Sequence, residues 1–524
     1  MKKSARLYQE AKDIQKEMNY KAALTGFTPV KVDLPPQPDD DTWSPNASAR
    51  AVKLFLAVMT AARRTVKGAD FIGAYLQANM VGRHFVRLPY EYAALFPEYS
   101  KYFGVPLLLN KGIYGMVFSG KLWNEEFSAW LQDQGYHQSK ADPSIFTKHY
   151  ANGNWNKLIF FVDDMLYCGS NDAVEKEFQK AVTARFHVKF LGPAHWFLQM
   201  RIHQHKDQSY TLDQHRYALN TIQRYDPNDL IKQRDTPLPP DYIFSKENRP
   251  KSNEDLETIK EHYSSIDFRS AVCTLLYLAF NTRADILFAV TKLSKACICP
   301  GLVDYEALYW LIGYIKARPD LAVKFYPNPD KNPIVDICRM NNIPYSDLAV
   351  ITDGSWQDCP DTGRSTIGYQ IFYNGALIEA NTTVPTPIAQ SSSEAEYLGA
   401  CCGAMAAAHI RMILYDLLHL GTKHWHQHEQ KLAKTPILLM TDNTATVQMA
   451  KNGKLTRKTR HIERRFHFVR EGQQNGLHTL HWIPASSMLA DIMTKSQAAY
   501  KIDPHLPSIL SKLPAHMTND TAQH

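Results

Sequence analysis

Two adjacent aspartates interrupt an apolar run in the first half of the chain. Residues 157–170 read KLIFFVDDMLYCGS, with Asp163 and Asp164 in the middle of an otherwise strand-like segment. An unpaired carboxylate is expensive to bury, so the pair indicates a site that uses negative charge. A second strand-like segment, ADFIGAYLQ, carries Asp70. A tight turn would place the pair beside Asp70 as oxygen ligands for Mg²⁺. For the doublet alone, an exposed hairpin turn is the simpler interpretation.

A second set of carboxylates lies in the last third of the chain. It comprises Asp353 in ITDGSW, Glu394 or Glu396 in SSSEAEY, Asp442 in MTDN and Asp491 in LADIM. Each falls at a strand end or on an adjoining helix, so an α/β sheet could bring them together. Four carboxylates around two Mg²⁺ ions make a site for phosphodiester hydrolysis. The two glutamates lie about 200° apart around a helix, so only one can face the site, and we favour Glu396.

Regular elements that could position these residues are visible in the apolar patterns. Residues 49–62 have helical spacing, and residues 121–135 predict a helix that ends at Gly135. Residues 144–170 predict two strands joined by a turn at Asn152, Gly153 and Asn154. The alternation of strands and helices predicts a mixed α/β, multidomain protein.

Proline-rich, polar segments at residues 32–48 and 236–252 indicate boundaries between domains. We predict an N-terminal extension and linker at 1–41, an α+β domain at 42–235 and a helical region at 236–344. An α/β domain at 345–496 and a C-terminal tail at 497–524 complete the division.

Composition narrows the classes of function. The 524 residues are 44% hydrophobic, yet they contain no apolar run of the roughly 18 residues that a membrane span needs. We therefore expect neither a span nor a signal peptide. The eight cysteines lack paired CxxC spacing, which favours reduced thiols in the cytosol or nucleus over a zinc module.

Positive charge is concentrated in one segment. The chain carries a net charge of +7, and residues 451–470 hold many lysines and arginines against the single acidic residue Glu463. Such a cluster suits a phosphate backbone. A solvated helix face is the alternative interpretation.

At this point the motifs resemble a known family. ADFIGAYLQ, KGIYGMVFSGKLW, ADPSIF, FFVDDMLYCGS and FLGPAHWFLQMRI look like the palm and fingers motifs of the reverse transcriptase in copia-type LTR retrotransposon Pol polyproteins. DGSWQDCPDTGRSTIGY, SSSEAEY, TDN, TRHIERRFHFVRE and LADIMTK follow the order of its ribonuclease H. The resemblance runs from about residue 42 to 496. It implies a polymerase fingers and palm, a helical thumb or connection, and a ribonuclease H-like α/β domain.

The resemblance also implies roles for individual residues. Polymerase metal ligands would be Asp70, Asp163 and Asp164, and nuclease ligands would be Asp353, Glu396, Asp442 and Asp491. Tyr75 would exclude a ribose 2′-hydroxyl, and Phe118 would lie near the incoming nucleotide. Nucleic-acid contacts would come from the basic segment, namely Arg457, Lys458, Arg460, His461, Arg464 and Arg465.

The family further implies RNA-directed DNA synthesis and cleavage of the RNA strand of a hybrid. Each site would use two Mg²⁺ ions, with Mn²⁺ as an alternative. The partners would be an RNA template, a DNA primer, RNA/DNA hybrid, dNTPs and other retrotransposon proteins, without a membrane. A cytoplasmic particle or the nucleus would be the location.

Four departures keep alternatives open. Phe118 replaces a glutamine, Phe161 replaces a tyrosine, and Gln199 replaces a glycine of the family pattern. The basic fingers strands that normally precede TWSPNASARAV are not recognisable in the first 40 residues. A polymerase-inactive, nucleic-acid-binding relic and a ribonuclease H alone are therefore the competing hypotheses.

Overall fold

The structure, a computed structural model, describes residues 28–29, 43–88, 97–240, 242–263, 266–422, 436–451 and 463–518. Its helices in chain order are α1 (Ala49–Ala61), α2 (Ala74–Gln77), α3 (Ser119–Asp133), α4 (Asp172–Arg185), α5 (His215–Tyr225), α6 (Asn253–Tyr263), α7 (Phe268–Asn281), α8 (Leu287–Ser294), α9 (Leu302–Ala317), α10 (Pro333–Met340), α11 (Ser392–His419), α12 (Thr444–Lys451), α13 (Glu463–Gln474), α14 (Ala499–Ile502), α15 (Leu506–Ile509) and α16 (Ala515–Thr518).

The strands form four sheets. In chain order they are β1 (Thr28–Pro29), β2 (Lys67–Phe71), β3 (Phe85–Val86), β4 (Leu107–Leu108), β5 (His137–Gln138), β6 (Ile145–His149), β7 (Trp155–Phe161), β8 (Asp164–Gly169), β9 (Val188–Pro193), β10 (Trp196–Phe197), β11 (Met200–Gln204), β12 (Tyr210–Asp213), β13 (Leu321–Phe325), β14 (Leu348–Ser355), β15 (Thr366–Tyr373), β16 (Ala376–Thr383), β17 (Ile437–Thr441), β18 (His478–Trp482) and β19 (Ser511–Lys512).

Contacts divide the chain into two compact units. The first unit comprises Met1–Ser48, Val66–Pro193 and Leu420–Thr422, and the second comprises Ala49–Thr65, Ala194–His419 and Lys423–His524. The predicted mixed α/β, multidomain class is confirmed. The predicted domain boundaries stay a prediction, because compact units and functional domains need not coincide.

The first unit is built on a six-stranded antiparallel sheet in the order β5-β6-β7-β8-β2-β9. Aromatic side chains fill its core, and Phe71, Trp123 and Phe127 make mutual ring contacts at centroid distances of 4.8–5.5 Å. The helix predicted at 121–135 is present as α3, and the two predicted strands are β6 and β7. A small sheet in the order β1-β4-β3 includes residues from the predicted N-terminal extension.

The second unit contains two five-stranded sheets. In the sheet ordered β16-β15-β14-β17-β18, the first three strands are antiparallel, whereas β17 and β18 run parallel to β14. Helix α11 packs along β14 and β15. By length and composition α11 could cross a membrane, but 61% of its most apolar window is buried within the protein. That burial is expected of a core helix.

The other sheet of the second unit has the order β10-β11-β12-β13-β19. Its last strand comes from the predicted C-terminal tail: β19 pairs with β13, and the Leu513 N–H donates to the Asp320 carbonyl at 2.8 Å. The Arg201 guanidinium on β11 donates to the Met517 carbonyl at 3.0 Å. Residues 499–518 are therefore an ordered part of this sheet's packing.

Candidate active sites

The first carboxylate cluster lies where two strands of the six-stranded sheet meet a turn. Asp70 on β2 is directly opposite Asp164, the first residue of β8. Val162 and Asp163 form the two-residue connection between β7 and β8. The three carboxylates are half-buried. The hairpin geometry thus brings together the three aspartates that the sequence predicted as one site.

Two hydrogen bonds hold this turn in place. The indole N–H of the buried Trp123 donates to the Val162 carbonyl at 2.5 Å, and the Phe71 N–H donates to the Asp163 carbonyl at 2.8 Å. Val162 has a φ of 53°, which is rare for a β-branched residue because its side chain crowds the backbone there. The core therefore holds Asp163 through the backbone of its turn.

Like charges at this turn repel one another. Burial, followed by the charges of Asp163 and Asp70, raises the pKa of Asp164 to about 6. Burial and then Asp163 raise the pKa of Asp70, while Lys189, its neighbour on β9, opposes the shift. A divalent cation would relieve this repulsion, and carboxylate oxygens are the ligands that Mg²⁺ prefers. The donor set fits that ion.

The two predicted nucleotide contacts differ in their surroundings. The Tyr75 ring lies 4.6 Å from the Tyr114 ring, centroid to centroid, and burial and Asp163 raise the pKa of Tyr75. Phe118 immediately precedes α3, and its ring lies 4.5 Å from that of His84. The structure thus places Tyr75 near the carboxylates but gives no such evidence for Phe118.

Tyr114 is a further residue near this turn, and the sequence analysis did not predict it as part of the site. Burial raises its pKa to about 12, with further contributions from Asp163, Tyr75 and Asp70. Half of its surface is exposed. The sequence signal that could have indicated Tyr114 is its position in KGIYGM, which belongs to a segment that resembles the palm and fingers motifs.

The second cluster is more compact. Among the described acidic, histidine and cysteine side chains, only Asp353, Glu396 and Asp442 form a trio whose ligand atoms all lie within 4.8 Å of one another. Asp70, Asp163 and Asp164 do not meet this limit. The structure therefore assembles three of the four predicted nuclease ligands tightly.

Strand register and close helix packing explain this assembly. Ile351 on β14 pairs with Met440 on the parallel strand β17, so Asp353 and Asp442 lie at the same level. A Cβ atom at Gly354 would lie 2.7 Å from the Ala395 backbone, and one at Gly403 would lie 2.8 Å from Thr352. Because glycines occupy these positions, α11 can approach β14 and bring Glu396 to the cluster.

The choice between the two glutamates has a structural answer. Glu396 contributes to the cluster, and its carboxylate accepts a hydrogen bond from the Thr441 hydroxyl at 3.4 Å. The Glu394 carboxylate accepts the Gln390 N–H at 2.8 Å at the start of α11. The geometry therefore favours Glu396 as the ligand and gives Glu394 a role in starting the helix.

Asp491 lies beside the cluster rather than inside the trio. The Lys495 ammonium is 3.3 Å from the Asp353 carboxylate and 2.8 Å from that of Asp491. The Gln497 amide donates to Asp491 at 2.9 Å, and the Thr494 hydroxyl donates to Asp353. These groups orient the two aspartates.

Burial and mutual repulsion raise the pKa values of the carboxyl groups in this cluster. Burial, then Asp353 and Asp442, raise the pKa of Glu396 to about 9. Burial and Asp353 are also the main causes of the raised pKa values of Asp442 and Asp491. Asp353 itself is fully buried, and its Oδ1 atom has no hydrogen-bond partner among the described residues. A buried carboxylate oxygen without a partner, surrounded by other carboxylates, fits a divalent cation.

The predicted nucleic-acid contacts of the basic segment fall outside the part of the chain that the structure describes. Arg457, Lys458, Arg460 and His461 lie outside the described residues altogether. The backbone of Arg464 and Arg465 belongs to α13, but their side chains lie outside the description. Their proposed contacts stay predictions.

Comparisons with known proteins show what this chain is similar to. Residues 3–238 match the family model described as reverse transcriptase (RNA-dependent DNA polymerase). The Pol polyprotein of transposon TNT 1-94 from Nicotiana tabacum is 24% identical over 92% of this chain and 33% of its own length. That of transposon RE2 from Arabidopsis thaliana is 24% identical over 87% of this chain and 28% of its own length. The chain thus spans a third or less of these relatives.

A solved structure, the N-terminal RNase H domain of rv2228c from Mycobacterium tuberculosis fused to maltose binding protein, aligns with 31% of this chain and 99% of that chain. The identity is 15% and the TM-score is 0.20. The resemblance to copia-type Pol polyproteins is confirmed. The expectation that it begins near residue 42 is wrong, because the family match begins at residue 3. The family match therefore includes residues 3–41, in which we recognised no fingers motif.

Proposed function

Since residues 3–238 match the reverse transcriptase family and most of the chain is similar to copia-type Pol polyproteins, we propose an RNA-directed DNA polymerase that also cleaves the RNA strand of RNA/DNA hybrids. The substrates would be an RNA template, a DNA primer, dNTPs and the resulting hybrid. A cytoplasmic retrotransposon particle or the nucleus, with other proteins of the element, would be its setting.

The observation that carries the nuclease activity is the compact trio of Asp353, Glu396 and Asp442 around an unpaired buried oxygen. These residues, with Asp491, would hold Mg²⁺ or Mn²⁺. When bound, two such ions activate a water and stabilise the leaving oxygen of a phosphodiester. The chain's own part is to fix the ligands: Thr494 and Lys495 orient Asp353, and Lys495 and Gln497 orient Asp491.

The polymerase activity is supported by the family match and by the convergence of Asp70, Asp163 and Asp164 at one turn. These carboxylates would hold the same kind of ion beside a primer 3′-hydroxyl. Tyr75 borders them and would restrict the space for a 2′-hydroxyl. The turn's two backbone hydrogen bonds keep Asp163 in position.

A nuclease without polymerase activity is the second candidate. It is favoured by the wider spacing of the palm carboxylates and by Phe118, which replaces the glutamine of the family pattern and contacts His84. Loss of that amide would weaken nucleotide binding without touching the nuclease.

Two assays on three proteins separate these functions. Wild type, Asp163→Asn and Asp442→Asn are tested for primer extension on an RNA template and for cleavage of a labelled hybrid. We expect Asp163→Asn to lose extension alone and Asp442→Asn to lose cleavage alone. Asp442-dependent cleavage without any extension by the wild type would establish the nuclease-only function. Hybrid binding without either activity would establish a relic.

A further inference from the structure

A positively charged side chain reaches into the second carboxylate cluster. The Lys495 ammonium lies 2.8 Å from Oδ1 of Asp491 and 3.3 Å from Oδ2 of Asp353. Asp353 is fully buried, whereas 42% of the Lys495 side chain is exposed, so its flexible stem is open to solvent. The ammonium therefore bridges two of the predicted metal ligands, as a bound cation would.

The two carboxylate oxygens of Asp353 have different surroundings. Oδ2 accepts the Thr494 hydroxyl and lies beside the Lys495 ammonium. Oδ1 has no hydrogen-bond partner among the described residues, and Asp353 belongs to the compact trio with Glu396 and Asp442. Each oxygen of a carboxylate can accept from a separate partner. Asp353 thus offers a first cation position at Oδ1 and a second at Oδ2, and Lys495 lies at the second.

The surroundings of Asp491 lead to the same assignment. Its Oδ1 faces the Lys495 ammonium, and its Oδ2 accepts the Gln497 amide at 2.9 Å. Both carboxylate oxygens of Asp491 therefore already have a donor. A metal ion shared by Asp353 and Asp491 would have to displace Lys495 from between them.

The charge of Lys495 acts on the whole cluster. Burial raises the pKa values of Glu396, Asp442 and Asp491, and Lys495 opposes the shift at each of the three. A divalent ion would relieve the same carboxylates. Two cations a few ångströms apart repel each other, and partial burial strengthens that repulsion. Lys495 in its present position and a second metal ion therefore compete for the same negative charge.

We propose that Lys495 occupies the second cation position of this cluster, so that the protein without nucleic acid binds one divalent ion there, held by Asp353, Glu396 and Asp442. The proposal rests on the nuclease function proposed above, which gives the cluster its metal. Two-ion cleavage then requires that Lys495 leave this position, and its exposed stem allows it to do so.

The test counts the Mn²⁺ ions that the full chain binds without nucleic acid, from the electron paramagnetic resonance signal of the ions left free. Lys495→Met keeps the length of the stem and removes the charge, and Lys495→Arg keeps a charge. Lys501→Met, which removes an exposed lysine of α14, is the matched control. The count for Asp353→Asn, which lacks the ligand shared by both positions, is subtracted as the contribution of other sites. Circular dichroism checks folding.

We expect one ion above this background for the wild type, for Lys495→Arg and for Lys501→Met. Lys495→Met should bind two, and the second should bind at least about tenfold more tightly than any second ion on the wild type, because no neighbouring cation repels it. If Lys495→Met does not fold, Lys495→Gln, which is also neutral, replaces it in the same count.

Other counts would overturn the proposal. Two ions on the wild type would show that Lys495 does not hold the second position, and one ion on a folded, neutral variant would show that its removal opens no position. No ion on the wild type would remove the first position as well.

Hybrid cleavage by the same preparations separates the proposal from the nuclease function. A wild type that binds one ion where Lys495→Met binds two, but that cuts no hybrid, would support the proposal and contradict the nuclease function. A wild type that cuts hybrid and binds two ions would do the reverse.

Discussion

At both carboxylate sites a tryptophan holds the backbone through a hydrogen bond, but the two sites differ in which side chains are buried. At each site a tryptophan N–H donates to a backbone carbonyl at or next to a predicted metal ligand: Trp123 to Val162 in the first unit, and Trp482 to Asp442 in the second. Trp123 is fully buried and its carboxylates are half-exposed, whereas Trp482 is half-exposed and Asp353 is fully buried. One site is an open turn on an aromatic core, and the other is a closed cluster with an aromatic rim.

The electrostatic consequence follows from burial. Burial and neighbouring charges raise the pKa of Glu396 to about 9, but they raise the pKa of Asp164 only to about 6. Without a cation, Glu396 therefore holds a proton at neutral pH, whereas Asp164 is mostly ionised. We expect a cation at the closed cluster to displace that proton and to stabilise the fold more than one at the open turn, where water already screens the carboxylates.

The largest expected effect is the loss of a single activity when a closely packed glycine beside its site is replaced by alanine. Gly354→Ala would place a Cβ atom against the Ala395 backbone and push α11 away from β14. A displacement of about 1 Å can cost roughly 100-fold in rate, so hybrid cleavage should fall by at least that factor. Primer extension should persist, as a parallel assay on the same preparation would check.

Gly112→Ala is the reciprocal variant for the first unit, because its Cβ atom would lie 2.8 Å from the Tyr75 carbonyl oxygen. Extension should fall and cleavage should persist. Equal loss of both activities in either variant would contradict the separate construction of the two sites.

The next effect concerns the stabilisation of the fold by metal. With Mg²⁺ at about ten times its Kd, one bound ion adds about 1.4 kcal/mol to the free energy of unfolding. A thermal scan of the wild type should show a rise of a few degrees. Asp353→Asn should lose most of that rise and Asp163→Asn should keep it. The opposite ranking would show that the open turn is the main cation site.

The pH dependence of stability should also differ between the sites. In EDTA, a carboxyl with a raised pKa stabilises the folded state at low pH and loses that contribution as pH rises through its folded-state pKa. For Glu396 the loss extends from 4.5 to about 9, and for Asp164 from 3.8 to about 6. Urea unfolding at several pH values should show that Glu396→Gln flattens the curve above pH 6 and Asp164→Asn only below it. The same pH dependence of the free energy of unfolding in both variants would contradict the difference in burial between Glu396 and Asp164.

The smallest expected effect is at the anchor of the open turn. Trp123→Phe keeps an aromatic ring in the core but removes the donor to the Val162 carbonyl. One hydrogen bond is worth about 1 kcal/mol, so extension should slow about fivefold while cleavage is unchanged. A slowing of more than about 100-fold would mean that the whole turn depends on this bond.

The acidic residues were predictable from sequence because their chemistry conflicts with their surroundings. Asp163 and Asp164 interrupt an apolar strand, and Asp353 and Asp442 end similar runs, so the sequence pattern alone marks each as a candidate site. The helix at 49–62 and the strands before the aspartate pair were equally clear from their apolar spacing, and they appear as α1, β6 and β7.

Other features depend on contacts between distant segments, which local patterns do not encode. The pairing of β19 with β13 joins residues far apart in the chain, so the C-terminal segment was predicted as a tail. Tyr114 joins the open turn only through the fold. The hydrogen bonds from the indole N–H groups of Trp356 and Trp482 could not be predicted either, because their acceptors lie in other segments of the chain. In the sequence both residues are ordinary aromatic residues at strand ends.

The central claim is that one chain performs both reactions, and a single doubly labelled reaction tests it most directly. A DNA primer and an RNA template carry different fluorophores and are incubated with wild-type protein, dNTPs and Mg²⁺, and both strands are followed on one denaturing gel. We predict that the primer lengthens while the template behind it shortens, and that EDTA stops both. A template that is cut while the primer keeps its length throughout would contradict the claim.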